Sequence, residues 1–252
     1  MDGHAADTTV TATPRAARGA YRRLPVAQRR EQLLAAALGL FGACAPEEVT
    51  VDAVAAAAGV SRPLVYRYFP GGRQQIYETA LRSAADQLMR CFQEPAEGTP
   101  TQRLSNAVDR YLAFVREHEA GYSALLRGGS VVETTRTTAI VDDVRRGAAE
   151  EILRHLMAED AGPRLRMTVR SWIASAEAIS LTWIDQGLRP AAEELRAWLV
   201  DQFVGLLAVG AAGDEETAEV VRRVLGAEGP DSPAGDLARR LLPLAGSAQH
   251  LL

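Results

Sequence analysis

The stretch TVDAVAAAAGVSRPLVYRYFPGGR, residues 50–73, predicts two short helices joined by a tight turn. Thr50 is a helix N-cap residue, and Gly59 is the stop signal of the first short helix. Ser61 then caps a second helix, which tolerates Pro63 in its first turn. Together with a preceding third helix, these elements are the parts of a helix-turn-helix.

The second short helix, residues 62–69, carries arginine and tyrosine where a core helix would carry leucine. On a helical wheel Val65 and Phe69 share one side, which we expect to pack on the core, with Tyr68 near them. The other side is free to enter the major groove of DNA, where arginine pairs with guanine edges and tyrosine hydroxyls reach phosphates. The side chains predicted to contact DNA from this helix and from nearby helix N-termini are Thr50, Ser61, Arg62, Pro63, Leu64, Tyr66, Arg67, Tyr68 and Arg73.

The N-terminal quarter of the chain is basic, although the whole protein is acidic. Residues 15–75 hold nine arginines against four carboxylates, a local charge of +5 within a net charge of −4. A basic segment on an acidic body predicts a polyanion-binding module attached to a second unit. Arg22 and Arg23, ahead of the first helix, form either an arm that reaches DNA or a plain flexible tail.

Helical periodicity and chain breakers predict an all-α fold in four parts, since no alternating run of strand length occurs. A long helix from about 73 to 92 joins an N-terminal three-helix head to a helical body. The predicted boundaries are a disordered leader and basic arm at 1–25, a DNA-binding domain at 26–75 with its motif at 50–69, a helical body at 76–228 and a C-terminal tail at 229–252. Within the body, helices are expected at about 101–118, 121–126, 138–158, 163–186, 191–211 and 215–225.

Composition and motifs exclude several classes of function. The four histidines are scattered, no nucleophile elbow or phosphate-cradling glycine loop occurs, and the two cysteines lack metal-ligand spacing. We therefore predict no catalytic residues, no metal and no cofactor. No run of eighteen apolar residues and no apolar signal core occur, which predicts a cytoplasmic protein without a membrane partner.

Residues 50–73 resemble the helix-turn-helix of the tetracycline-repressor (TetR) family of bacterial transcription regulators. The family pattern is a capping Thr or Ser, an "IA…AGVS" core, an aromatic "LYxxF" end and a basic residue about four positions later. This chain matches it with Thr50, VA at 54–55, AGVS at 58–61, VYRYF at 65–69 and Arg73. The preceding RREQLLAAALGLF, residues 29–41, is similar to the family's first helix. Leu64 departs from the small or hydroxylated residue that the family often has there, which leaves the operator sequence open, and Arg73 replaces the usual lysine.

The resemblance implies a ligand-responsive regulator, a repressor that binds a palindromic operator in double-stranded DNA as a homodimer and is released by an apolar small molecule. It also implies a pocket and a dimer interface in the body. The segment SWIASAEAISLTWI, residues 171–184, has two apolar faces, which require two surfaces to bury them, the body's own core and a partner subunit. The assigned pocket residues are Tyr111, Phe114, Tyr122, Trp172 and Glu177, and the assigned interface residues are Trp183, Leu199, Phe203 and Leu206.

Two alternatives stay open at this point. The arginines and tyrosines of residues 62–69 could be solvated charges and packing aromatics of a helical interaction protein whose helix-turn-helix no longer binds DNA. In the body, aromatic residues at helical spacing could be plain core, and Glu177 could face either the pocket or the dimer interface.

Overall fold

A computed structural model describes residues 24–92, 97–127 and 135–247, and every regular element in those ranges is a helix. In chain order these helices are α1 (Val26–Ala43), α2 (Val51–Ala57), α3 (Arg62–Tyr68), α4 (Gly72–Phe92), α5 (Pro100–Glu117), α6 (Glu119–Leu126), α7 (Thr135–His155), α8 (Pro163–Asp185), α9 (Ala192–Ala212), α10 (Glu215–Gly226) and α11 (Pro233–Ser247). The all-α prediction is confirmed. Arg22 and Arg23, with nearly all of the predicted leader, lie outside the described residues.

The head consists of α1, α2 and α3, and its core is the side of each helix that the periodicity indicated. Leu33, Ala37 and Phe41 repeat every four residues in α1 and are buried. Phe41 also packs against Tyr77 of α4, with ring centroids 4.7 Å apart. The long helix α4 is thus fixed to the head at its start, and farther along it packs against α5, α6 and α7 of the body.

The body is a bundle in which α8 packs between α7 and α9, and α9 also contacts α5 and α10. Trp172 of α8 fixes the contact with α9, because its indole nitrogen donates to the Leu199 carbonyl at 3.0 Å and its ring lies 4.8 Å from Phe203. Trp183, near the end of α8, donates to the Pro190 carbonyl at 2.7 Å. Trp172 and Trp183 are buried within a single protomer, and so are Leu199 and Phe203.

Helix α9 is long and apolar enough in composition to cross a membrane. Its most apolar window of 18 residues has a mean hydropathy of 1.4. The core helix of a globular protein has the same properties, and α9 packs on four other helices of the body, α5, α8, α10 and α11. Only 28% of that window is buried, however. The outer side of α9 is therefore an apolar surface without a covering element among the described residues.

The segment predicted to be a C-terminal tail contains helix α11, so that prediction was wrong. Ala234 and Leu237, three residues apart, are buried, and α11 packs on α5 and α9. Just before it, the Glu228 carboxylate accepts hydrogen bonds from the Thr101 backbone N–H at 2.6 Å and from the Thr101 hydroxyl at 2.9 Å. A carboxylate at the first turn of α5 is favoured by the helix dipole. The segment after α10 therefore belongs to the body.

The head meets the body where α1 packs on α6. Gly42 makes this contact possible, because a Cβ there would lie 2.4 Å from the backbone oxygen of Ala120. Next to it, Gly121 of α6 lies against Leu38 of α1 and Ala84 of α4. Because the two backbones are in close contact, a displacement of α6 toward α1 would also displace α1.

Candidate nucleic-acid interface and ligand cavity

Local interactions hold α2 and α3 in a helix-turn-helix. The Thr50 hydroxyl accepts the backbone N–H of Ala53 at 3.0 Å, as expected of an N-cap. Gly59 has φ of +64°, a left-handed conformation that glycine adopts without strain, and it turns the chain between the two helices. Val54, Val65 and Phe69 are buried and anchor the pair to α1. The Thr50 cap and the Gly59 turn, both predicted from the sequence, are present.

The outer side of α3 is exposed and cationic. Arg62, Pro63 and Arg67 are exposed, and Tyr66 is 39% exposed. Leu64 is half-buried at the edge of this side, whereas Tyr68 is half-buried and packs against the core. Arg67 makes no hydrogen bond or ion pair with any described residue. The exposed face of α3 is therefore centred on Tyr66 and Arg67, and Tyr68 packs mainly against the core.

Arg62 is held in place by neighbours on both short helices. One of its guanidinium nitrogens lies 2.9 Å from a carboxylate oxygen of Asp52 in the first turn of α2. The guanidinium also lies over the Tyr66 ring, 5.6 Å from its centroid. A cation between a carboxylate and an aromatic face is oriented but partly neutralised.

Three further predicted DNA contacts sit around the ends of the short helices. Thr50 and Ser61 are both exposed. Ser61 occupies the N-cap position of α3, but its side chain makes no capping hydrogen bond, which corrects the prediction that it caps this helix. The Ser61 hydroxyl can therefore donate to a phosphate oxygen. Arg73 differs, because its guanidinium donates to the Glu47 carbonyl at 2.8 Å and braces the loop before α2.

Two side chains of α1 contact the helix-turn-helix and help to hold it in place. Neither was predicted from the sequence. The Gln32 amide nitrogen donates to the Ala58 carbonyl at 2.9 Å, where the turn begins. The Arg30 guanidinium lies 5.3 Å from the centroid of the buried Phe69 ring at the end of α3. Both contacts join residues far apart in the chain, so no local pattern could have indicated them.

The body encloses a cavity of about 160 Å³ with a mostly apolar lining. Its walls come from α4 to α10, and apolar lining residues from five of these helices are Leu88, Leu104, Val108, Ile152, Ile173 and Val220. Of the predicted pocket residues, Tyr111, Tyr122, Trp172 and Glu177 line it. Phe114 does not, which corrects that assignment. Its ring stacks on His118 at 4.7 Å and lines a separate crevice formed by α1, α4, α5 and α6.

One end of the cavity carries a cluster of buried hydroxyls. Tyr111 and Tyr122 share a short hydrogen bond between their hydroxyls, and the Tyr111 hydroxyl also donates to Ser180 at 2.9 Å. Burial raises the pKa of both phenols, so both are neutral at physiological pH. The three hydroxyls satisfy one another, as buried polar groups must.

Beside this cluster, Glu177 of α8 forms an ion pair with Arg145 of α7. Both carboxylate oxygens accept from the guanidinium, at distances of 2.8 to 3.2 Å. The hydrogen bonds that Arg145 donates to Glu177 raise the pKa of the guanidinium, which therefore stays charged. Glu177 was expected to face either the pocket or the dimer interface, and its side chain lies in the wall of the cavity.

The other end of the cavity carries Arg103, Glu151 and His155. His155 Nε2 lies 3.1 Å from a Glu151 oxygen, and the Arg103 guanidinium donates to the His155 backbone carbonyl at 3.2 Å. Burial lowers the pKa of His155, with help from the neighbouring Arg154 and Arg103. None of these residues, nor Arg145, was assigned from the sequence. Arg103 and Arg145 meet their partners on other helices, which no local pattern indicates. The Glu151–His155 pair lies within α7, at a spacing that is also common on solvated helix faces.

The predicted dimer-interface residues need correction. Trp183, Leu199 and Phe203 are buried within one protomer, so they are not available to a partner, and only Leu206 is partly exposed. Both predicted apolar faces of α8 turn out to be covered by the same chain. What α8 exposes instead is a strip of mostly small residues, and α9 exposes apolar ones beside it. These residues are Met167, Ser171, Ala174, Ala178 and Thr182 on α8, and Trp198, Ala208 and Val209 on α9.

Two family models match the chain. The one described as "Bacterial regulatory proteins, tetR family" covers residues 33–80, and "Tetracyclin repressor-like, C-terminal domain" covers residues 100–206. The first range contains the helix-turn-helix with its exposed cationic face. The second contains α5 to α8, which supply most of the cavity walls.

Known proteins similar to this chain include regulators of the same fold. A tetR-family transcriptional regulator from Streptomyces coelicolor is 48% identical, with a TM-score of 0.79, over 88% of this chain and 100% of that one. The HTH-type transcriptional activator FasR from Mycolicibacterium smegmatis is 27% identical over 168 residues, 65% of this chain and 75% of that protein. FadR from Bacillus subtilis, solved in complex with stearoyl-CoA, has a TM-score of 0.57 over 69% of this chain and 96% of that one. At 14% identity it shows the fold alone.

Regulators of this kind are DNA-binding transcription factors and not enzymes. The helix-turn-helix, the helical body and the matches over both place this protein among them. The chain belongs to the TetR family and is a DNA-binding transcription regulator.

Proposed function

We propose that this protein is a cytoplasmic homodimeric repressor that binds a near-palindromic operator and is released from it by an apolar small molecule. The observation that carries this proposal is the apolar cavity in the body, one wall of which is α6, a helix that packs on the head. Tyr122 and Leu126 of α6 line the cavity, while Ala120 and Gly121 of the same helix pack on α1.

The path from ligand to DNA would run through α6. A ligand that displaces Tyr122 moves α6, and the backbone contact at Gly42 passes the movement to α1 and the reading head. The ligand then favours the conformation in which two heads do not match their half-sites. Affinity for DNA falls by the ratio of the ligand's affinities for the two conformations.

The proposed dimer interface is the exposed strip of α8 and α9. Ala174 and Ala178 present small side chains that let a second helix approach closely, and Trp198 is 53% exposed beside them. This surface would explain why the apolar helix α9 is so little buried in one protomer. Two heads related by a two-fold axis recognise half-sites about one helical turn apart, roughly 34–36 Å.

The lining of the cavity favours a ligand that is mostly hydrocarbon. The neighbour from Bacillus subtilis was solved with stearoyl-CoA, which has such a chain. We therefore propose an effector that contains an aliphatic acyl chain. The similarity to an activator, FasR, makes the direction of regulation an outcome to be measured.

The experiment that tests the function selects bound duplexes from a randomised DNA library and then measures affinity for the selected site. We expect enrichment of a near-palindrome and a loss of binding when decanoate or its thioester is added. Enrichment of no sequence would contradict operator recognition. Unchanged binding with every acyl probe would contradict ligand release, and a promoter reporter would then distinguish repression from activation.

A further inference from the structure

The two polar ends of the cavity differ in what they can still bind. Arg103 and Tyr111 mark the ends along α5, and a separation of eight residues in one helix corresponds to about 12 Å. Between them, Leu104, Ala107 and Val108 line an apolar wall. A linear molecule that fills this space can place a polar group at one end or at the other.

At the Tyr111 end, every buried side-chain nitrogen and oxygen of the described residues already has a hydrogen-bond partner. The Tyr111 hydroxyl is bonded to both Tyr122 and Ser180. The Glu177 carboxylate is held through both of its oxygens by Arg145. A polar ligand group there would have to break bonds that the protein already makes.

The Arg103 end has an unused donor. Among the described residues, Arg103 Nε is the one buried side-chain nitrogen or oxygen without a hydrogen-bond partner. Arg103 forms no ion pair with a described carboxylate, because the nearby Glu151 is paired with Arg154 and His155. A guanidinium with a free buried N–H favours an anionic or carbonyl oxygen, since charge-assisted hydrogen bonds are the stronger ones.

We infer that Arg103 receives the head group of the effector: the ligand is an aliphatic chain that ends in a carboxyl-derived oxygen, with that oxygen at Arg103 Nε and the chain directed toward Tyr111. This inference rests on the proposed function, because it assigns the orientation of a ligand in the proposed effector cavity. The carboxylate of a free acid and the carbonyl of a thioester share the required acceptor oxygen, and the experiment separates them.

Calorimetric titration of the full-length protein with three ten-carbon probes tests the inference. The probes are decanoate, the decanoyl thioester of N-acetylcysteamine, and decylammonium, which has a cationic head and no acceptor. We expect decanoate to bind at least tenfold more tightly than decylammonium. A thioester that binds as tightly as decanoate assigns recognition to the carbonyl oxygen, and a weaker one assigns it to the carboxylate charge; both support the subsite.

Two variants of Arg103 then identify the site. Arg103→Met keeps the apolar stem but removes the guanidinium, and it should weaken decanoate binding about tenfold while leaving decylammonium unchanged or tighter. Because this change also removes the bond to the His155 carbonyl, helix content by circular dichroism must be measured first. Arg103→Lys retains a cation that can reach that carbonyl but has no Nε, so it should give an intermediate loss.

The control variant is Tyr111→Phe at the opposite end. If Tyr111→Phe weakens decanoate binding while both Arg103 variants bind normally, the head group lies at the hydroxyl cluster and the inference is overturned, although the cavity remains the effector site. If none of the probes binds the unmodified protein, the proposed function fails and the inference fails with it.

Discussion

The guanidinium of Arg62 lies 2.9 Å from the carboxylate of Asp52, so the first residue of α3 is tied to the first turn of α2. Five residues farther along α3, Arg67 has no such partner among the described residues. The two arginines on the proposed reading face therefore differ in the charge that they can offer to DNA. One is oriented and partly neutralised, and the other is free.

Substitution of Arg62 and Arg67, one at a time, should separate their contributions to operator binding. Arg67→Ala should weaken operator binding by roughly 1–3 kcal/mol if the side chain reads a base edge, and Arg62→Ala should cost less because Asp52 already offsets its charge. Both should leave the melting temperature nearly unchanged, since both side chains are exposed. Fluorescence anisotropy on specific and random duplexes measures the losses.

Arg146→Ala is the matched control, because Arg146 is an exposed arginine on α7 of the body. Equal losses for Arg67→Ala on specific and random DNA would reassign Arg67 to a phosphate. A larger loss for Arg62→Ala than for Arg67→Ala would contradict the neutralising role of Asp52. Val65→Asp is the contrasting change: it buries a charge and should unfold the head.

Two glycines of α1 offer a matched pair for the contact with α6. Gly42→Ala places a methyl group 2.4 Å from the Ala120 oxygen and should destabilise the protein by about 1–3 kcal/mol. Gly39→Ala meets nothing within 4 Å and should stabilise α1 by about 0.5–1 kcal/mol. Urea denaturation measures both changes. If Gly42→Ala were as stable as Gly39→Ala, α1 and α6 would not be in close contact in solution.

Charge on the outer side of α8 should prevent dimer formation without unfolding the protomer. Ala178 is exposed, so Ala178→Arg should leave the helix content intact and give a species of 27.1 kDa in light scattering. Phe203→Glu, by contrast, buries a carboxylate in the core of the protomer and should unfold the body. A dimeric Ala178→Arg protein would contradict the proposed interface.

The environment of His155 predicts a dependence of stability on pH. Its pKa is lowered in the native state, so the unfolded chain binds the proton more readily. Stability should therefore fall as the pH drops below about 6.5, the ordinary histidine value, and the loss should be complete below the native pKa. Denaturation between pH 5 and 7 should show a shallower decline for His155→Asn than for the unmodified protein. If stability declined equally with pH in both proteins, His155 would not contribute to the pH dependence.

Much of the head could be predicted from the sequence, because local rules decide it. The Thr50 cap, the Gly59 turn and the spacing of Val65 and Phe69 act within single helices or between neighbours in the chain. For the same reason the exposed, cationic side of α3 could be identified, and that side remains the predicted reading face. The exceptions are the contacts of Arg73, Gln32 and Arg30, because each joins two segments that no helical wheel relates.

The body shows where such reasoning ends. Periodicity indicated that α8 has a wide apolar surface, but only the fold shows that both of its faces are covered by α7 and α9 of the same chain. Trp183, Leu199 and Phe203 consequently became core, and the small residues around Ala178 became the surface open to a partner. The apolar composition of a helix indicates how much of its surface must be buried. It does not indicate whether its own chain or a partner subunit covers that surface.

The sequence by itself determined the all-α class, the helix-turn-helix and the family resemblance, because each depends on residues within one turn or one short motif. Only the tertiary structure decided the cavity and the polar groups at its ends. Arg145 meets Glu177 across 32 positions of the chain, and Arg103 lies beside His155 across 52. Such pairs form because helices pack side by side, and that packing is set by the sum of many weak contacts that no single segment encodes.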